Sequence, residues 1–338
     1  LSSETPRPVN RTDGIVLVNL GTPAAPTPAA VRRYLAEFLS DPRVVELPRL
    51  LWWPILHGLV LRLRPARSAQ KYAAVWTPQG SPLAVHTARQ AERLAARFAS
   101  VPASAGLRIV HAMRYGVPGI AETIAQLAAT GCSNVRVVPL YPQFARSTTQ
   151  SVRDVLDALC ASRFAAGPAL EMVEDFHLHP AYIAALAAGV RQHWATHGSG
   201  EILLMSFHGL PKRAVQRGDP YERQCQATAQ RLAQALELDA DRYRVTFQSR
   251  FGPARWLEPY TEATLRALAR EGVRRVDVLC PGFVADCLET LEEIGIGARA
   301  VFLQCGGKEF HLLPCLNESP EWIEALAQIA LEHPARPV

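Results

Sequence analysis

No tract of lysine or arginine runs through this 338-residue sequence, and no two cysteines are spaced C-x-x-C. No apolar run approaches the about 20 residues that a bilayer-spanning helix needs. The longest charge-free one near the front, LLWWPILHGLVL at 50–61, has twelve residues and an internal proline. The formal charge of +5 is spread along the chain, with local clusters such as Arg62, Arg64 and Arg67. That distribution disfavours nucleic acid as a partner and leaves open an anionic membrane surface or a carboxylate-bearing ligand. The seven cysteines are odd in number and scattered, from Cys132 to Cys315, which fits a reducing cytoplasm better than a secreted disulfide scaffold. The opening LSSETPRPVNRT lacks an apolar core, so residues 1–12 read as a loose tail and not an export signal.

Several catalytic signatures are missing too. There is no phosphate-binding G-x-x-x-x-G-K-[ST], no repeat of fixed period and no low-complexity tract. GIGAR at 295–299 lacks the dinucleotide fingerprint, and neither QSRFG nor MSFHG reproduces the G-x-S-x-G elbow. His177 with His179 is too isolated a pair to count as a zinc site.

What is present is a hydrophobic fraction of 49%, enough for two packed lobes or one large α/β unit. Runs of β type recur at 15–18 (IVLV), 107–110 (LRIV), 135–140 (VRVVPL), 202–205 (ILLM) and 276–279 (VDVL). Between them, segments such as 88–99, 120–130, 181–194, 221–236 and 260–271 carry apolar residues at three- and four-residue intervals. This alternation predicts parallel sheets with crossover helices. One sheet of that length would be unusual, so two α/β lobes are expected, over 13–155 and 156–317, with a helix in 318–338 packing back on the first lobe. In such sheets ligands bind beyond the carboxyl ends of the strands.

Those ends carry unusual residues. ILLMSFHGLP delivers His208 into a Gly-Leu-Pro turn, and NLGTP, MRYG and YPQFARSTT end other strands. FQSRFGPARWLEP and CPGFVADCLETLEEI follow later. A histidine after a strand can be simply a hydrogen-bonding residue, and Asp286 with Glu289 can be a capping box. Yet Glu289 and Glu293 stand four apart on one helical face, where like charges repel. Stability does not ask for that arrangement; a cation or a proton relay would.

Taken together, VNLGTP, YAAVWTPQGSPL, MRYG, PLYPQF…STT, SFHGLP, FQSRFG…WLEP and CPGFVADCLETLEEI resemble the ferrochelatases, which insert ferrous iron into a porphyrin to make haem. The likeness runs from about Ile15 to Asn317, with the motifs in family order. It implies an α/β fold of two Rossmann-like lobes, each a parallel β-sheet flanked by helices, with the active-site cleft between them. The substrates implied are protoporphyrin IX and Fe(II), and the products protohaem and two protons. Insertion requires the inner N–H protons to leave a buckled ring, and an imidazole, with an ordinary pKa near about 6.5, can accept them at cellular pH.

By this resemblance His208 is the proton acceptor or a metal ligand, Glu289 and Glu293 form the acidic face opposite it, and Asp286 supports His208 or extends the proton path. His208 and Glu289 are the expected metal contacts. Arg114, Tyr115, Ser81, Tyr141, Trp256 and Leu20 match positions lining the porphyrin pocket, where Arg and Ser suit propionates and aromatic rings suit the macrocycle. Cys287 stands where some relatives have histidine and reads as a small packed residue. Leu47–Pro65, with its tryptophans and arginines, is the pocket's apolar lip and suits shallow insertion at a membrane interface. The expected location is therefore the cytoplasm, bound peripherally to the inner membrane face or soluble near it. No resident cofactor is expected. The [2Fe–2S] cluster of some relatives is not expected either, since its loop position reads Arg146 and no cysteine group follows Cys315. The rivals are a chelatase loading cobalt into another tetrapyrrole and a haem carrier that performs no insertion.

Overall fold

The computed structural model describes residues 12–101, 106–162, 167–250, 252 and 254–338. Of the tail expected over 1–12, all but Thr12 lies outside the described residues.

The run GIVLVNLG shows how the scaffold is specified. Ile15 and Leu17 enter one apolar cluster and Val16 and Val18 another, the period-two pattern of a strand buried on both faces. This strand, β1 (Gly14–Gly21), lies in a sheet with β2 (Arg108–Tyr115), β3 (Asn134–Pro139) and β4 (Ala169–Met172). They run parallel in the order β2-β1-β3-β4. A second sheet holds β5 (Ile202–His208), β6 (Tyr243–Gln248), β7 (Arg275–Leu279) and β8 (Glu309–Leu312), parallel in the order β6-β5-β7-β8. A short β9 (Arg336–Pro337) pairs antiparallel with β4, an edge that the all-parallel expectation did not include.

Around the first sheet lie α1 (Pro28–Phe38), α2 (Arg49–Ile55), α3 (Leu61–Val75), α4 (Pro82–Ala99), α5 (Ile120–Ala129) and α6 (Thr149–Ala161). The second is flanked by α7 (Pro180–His197), α8 (Lys212–Gln216), α9 (Tyr221–Ala235), α10 (Thr261–Arg270), α11 (Arg299–Gln304) and α12 (Pro320–Glu332). Two π-helical segments, Leu56–Val60 and Glu289–Ala298, interrupt this pattern. The expected α/β lobes with parallel sheets are present. The division drawn between residues 155 and 156 needs correction, because it falls inside α6, and β4 beyond it is hydrogen-bonded into the first sheet.

One apolar cluster joins the two sheets: Ile15 and Leu17 of β1, Leu94 and Phe98 of α4, Ile183 and Val190 of α7, Leu203 and Met205 of β5, and Trp322 and Leu326 of α12 all belong to it. Helix α12 packs against both α4 and α7. Strand order reverses about β1 and β3 in one sheet and about β5 and β7 in the other, and the carboxyl ends of these four strands open onto one cleft.

Candidate active site

The cleft has a volume of about 1680 Å³ and is lined from both lobes, beyond the about 300–1,000 Å³ of an ordinary small-molecule pocket. β1 supplies Asn19, Leu20 and Gly21, the end of β3 supplies Tyr141, β5 supplies His208, and Phe283 follows β7. Asn19 is held in place by donating from Nδ2 to Thr87 Oγ1 at 3.0 Å while its Oδ1 accepts from Leu20 N at 2.8 Å.

His208 is the last residue of β5, partly buried, its ring 6.5 Å from that of Phe283. Its Nδ1 lies 2.8 Å from the Gly209 carbonyl oxygen. A carbonyl only accepts, so Nδ1 is the donor here, and in the neutral form of the ring Nε2 is the nitrogen left with a lone pair. The following glycine is compulsory: a Cβ at Gly209 would stand 2.8 Å from Gln248 O and 3.3 Å from the Trp256 ring. Gln248, the register partner of His208 in β6, is buried; it accepts from Ser206 Oγ at 2.8 Å and donates to the Glu289 carbonyl at 2.8 Å. The histidine strand and the acidic helix are thereby fastened through one side chain.

That helix is the π segment Glu289–Ala298, and the carboxylates on it diverge. Glu293 accepts from Ser249 N at 2.8 Å and from the Ser249 hydroxyl, and Ser249 reaches it by adopting a left-handed φ of 60°. Burial raises the Glu293 pKa above its ordinary value; the neighbouring Glu289 adds to this, while the Ser249 hydrogen bonds and His208 pull it back. Glu289 faces the first lobe, where burial and its charge together push the Tyr34 and Tyr72 phenols up. Glu292 pairs with Lys71 of α3 at 2.8 Å, and both also line the cleft.

Residues 12–334 match the family model described as Ferrochelatase. The relative named Ferrochelatase from Azoarcus sp. (strain BH72) is 60% identical over 313 residues, covering 93% of this chain and 85% of that protein. The one from Aromatoleum aromaticum is 57% identical over 316 residues, covering 94% and 86%. The chain belongs to the ferrochelatase family. It is a metal chelatase, a lyase that inserts iron into a porphyrin in haem synthesis. Among solved structures, SirB from Bacillus subtilis with Fe3+ shares the fold at a TM-score of 0.55 and 11% identity, over 94% of this chain and 95% of that one.

Within this ferrochelatase-family cleft, His208, Glu289, Glu293, Ser81, Tyr141, Trp256 and Leu20 all contribute to the lining. Ser81 accepts from Thr22 Oγ1 at 2.8 Å. The buried Tyr141 hydroxyl has no hydrogen-bond partner among the described residues. Three expectations need correction. Asp286 is buried behind the lining; it accepts from Thr290 Oγ1 at 2.9 Å and Asn317 Nδ2 at 2.7 Å, so it braces the loop and does not extend the acidic row. It forms no capping box with Glu289: its carboxylate accepts from Thr290 Oγ1, and its backbone N–H donates to Asn317 Oδ1. Arg114 and Tyr115 do not reach the cleft. The Arg114 guanidinium donates to Asp41 at 2.6 Å and to Ser151 Oγ at 2.7 Å, and the Tyr115 hydroxyl to Asp41 at 2.7 Å, a closed network beside a separate hollow of about 580 Å³.

Cys287 lines the cleft but is packed with Leu83 and Ala285, and burial with Glu289 beside it pushes its thiol up, which keeps it protonated and a poor metal ligand. Sequence reasoning missed Tyr34, Tyr72 and Arg64, which face Glu289 from α1 and α3. Tyr72 opens the motif YAAVWTPQGSPL, so its signal was present in the sequence and not singled out.

Proposed function

We propose that the macrocycle is protoporphyrin IX, that it lies in the cleft between the lobes, and that His208 Nε2 accepts the pyrrole protons as Fe(II) enters the ring. The observation that carries this reading is the His208 tautomer, which leaves a lone pair pointing away from the Gly209 carbonyl in a cleft shared with Glu293. The raised pKa of Glu293 suits it to receive a proton from the imidazolium and pass it on, while Glu289 offers a hard oxygen to the arriving ion. Arg67, Arg146 and Lys212 at the cleft give the propionates cationic partners. No resident cofactor takes part.

We also read the lip as a shallow membrane contact on a cytoplasmic protein. Seven of the eleven exposed large apolar side chains among the described residues lie between Leu47 and Leu63, next to Arg49, Arg62 and Arg67. Trp53 faces outward, whereas Trp52 is buried and donates to Leu39 O at 2.7 Å. No helix among the described residues is long and apolar enough to cross a membrane.

The deciding experiment is an anaerobic titration of protein-bound protoporphyrin IX with Fe(II), followed by absorbance. The wild type is expected to lose the free-base spectrum. His208→Ala is expected to keep porphyrin affinity while metallation falls about 10²–10⁴-fold. Undiminished turnover in that variant would remove the histidine from the mechanism.

A further inference from the structure

A second cluster of ligating side chains lies at the other end of the second sheet. His193 and His197 stand four apart in the last turns of α7, in the sequence HWATH, their rings stacked at 4.5 Å. His311 on β8 and Asp277 on β7 are register partners on the face that α7 covers. His193 Nε2 is 3.2 Å from His311 Nδ1, and ligating atoms of His193, His311 and Asp277 all lie within 4.8 Å of one another. Two imidazole nitrogens bound to one ion at about 2.0–2.1 Å stand about 2.9–3.4 Å apart, depending on the bond angle.

The surroundings are built for coordination. Asp277 is fully buried and fixed by Trp194 Nε1 and Gly200 N, each at 2.7 Å. A side chain at position 200 would strike it, since a Cβ there falls 2.9 Å from Asp277 Cγ. Behind His311, Glu309 Oε2 lies 3.8 Å from Nε2. At that distance the carboxylate acts on the ring as a charge and not as a hydrogen-bond partner; drawn in to the outer nitrogen by ion binding it would select the tautomer that turns Nδ1 to the metal. Asp277 and Glu309 outweigh the single positive charge of Arg275, which touches both.

We propose that His193 Nε2, His311 Nδ1 and the Asp277 carboxylate form a second metal site, for a divalent first-row transition ion such as Zn2+ or Co2+, with water completing the shell. Two imidazoles and one carboxylate suit that class of ion and not Mg2+ or Ca2+. The competing explanation is a hydrogen bond from one imidazole to the other beside a carboxylate held by Trp194, Gly200 and Arg275; it accounts for the 3.2 Å separation and leaves the convergence of three ligating atoms within 4.8 Å as the feature an ion would explain. The site is separate from the cleft, which none of these residues lines. Asp277 pairs with Leu203, five residues before His208, or about 16 Å along the strand. A bound ion would tie the end of α7 to the β7–β8 edge.

The test is equilibrium dialysis of the tag-free full chain against Zn2+ alone. Alongside the wild type run His208→Ala, which disables the cleft, and His193→Gln, His311→Gln and Glu309→Gln. The wild type and His208→Ala are expected to hold the ion at this site. The two glutamine variants of the ligands are expected to weaken it at least about 30-fold and to keep wild-type metallation, and Glu309→Gln to weaken it about 10-fold. With Co2+, the visible ligand-field band should survive in His208→Ala and vanish in His193→Gln. No uptake by His208→Ala, or uptake unchanged in both His193→Gln and His311→Gln, overturns the proposal. Should either ligand variant fail to fold, the exposed Glu309 still decides it. These outcomes are independent of what His208 does in the cleft.

Discussion

Single residues fix the chemistry of the cleft through backbone constraints as much as through their own side chains. Gly209 sets the tautomer of His208 and tolerates no Cβ. Gly209→Ala is expected to cost about 2 kcal/mol or more and to reduce metallation together with the thermal midpoint. Glu293 has a raised pKa in the folded chain, so the native state holds its proton at pH values where the unfolded chain has released it. Stability therefore falls as pH rises from the ordinary 4.5 through the native value, because ionisation is penalised only in the folded state. Glu293→Gln is expected to flatten this part of the profile and to be at least as stable as wild type near pH 7, measured as thermal midpoint against pH.

His208, Glu289 and Glu293 were legible because a titratable ring at a strand end and two like charges on one helical face make poor structural sense otherwise. Arg114 and Tyr115 misled because MRYG ends a strand, and strand ends in this fold lead to the cleft. The sequence does not reveal that Asp41, far from them in the chain, closes both side chains into a network of their own.

At the scale of the element, the strand runs and most helices followed from their periodicity, which is local. The π-helix did not, because a 3.6-residue repeat was assumed throughout. The consequence is geometric. In an α-helix Glu292 would lie about 60° around the axis from Glu289, whereas the wider π winding turns it about 115° away. Glu292 is thus turned toward Lys71, with which it pairs at the cleft wall. The missed clue was GIGAR: a Cβ at Gly295 would stand 3.0 Å from Leu312, so the wide coil packs on β8 through a bare backbone. Deleting the exposed Ile296 is expected to tighten the coil, rotate Glu289 and Glu293 relative to His208, and lower metallation by more than about tenfold while far-ultraviolet circular dichroism stays native-like.

Across the whole molecule, the lip and the carboxyl-terminal helix belong to separate apolar clusters. Leu50→Asp with Leu63→Asp, both at exposed positions, is expected to abolish co-sedimentation with vesicles containing anionic lipid and to leave turnover in detergent unchanged. Unchanged sedimentation would argue that the lip serves only the porphyrin. In the cluster that joins the sheets, Trp322 is fully buried where α12 meets α4 and α7. Trp322→Ala is expected to cost about 3–5 kcal/mol and to lower the unfolding midpoint of the whole chain in a single transition.

The packing of α12 and β9 on the first lobe also dictates an order of assembly. When Met172 leaves the ribosome the first sheet has its four parallel strands, yet the apolar flank of α4 and the free edge of β4 remain uncovered until residues 320–337 emerge. At about 5–20 residues per second that interval lasts about 7–30 s. A chain cut short before residue 320 is expected to keep that apolar flank and strand edge bare and to aggregate, which light scattering of the truncated product would show.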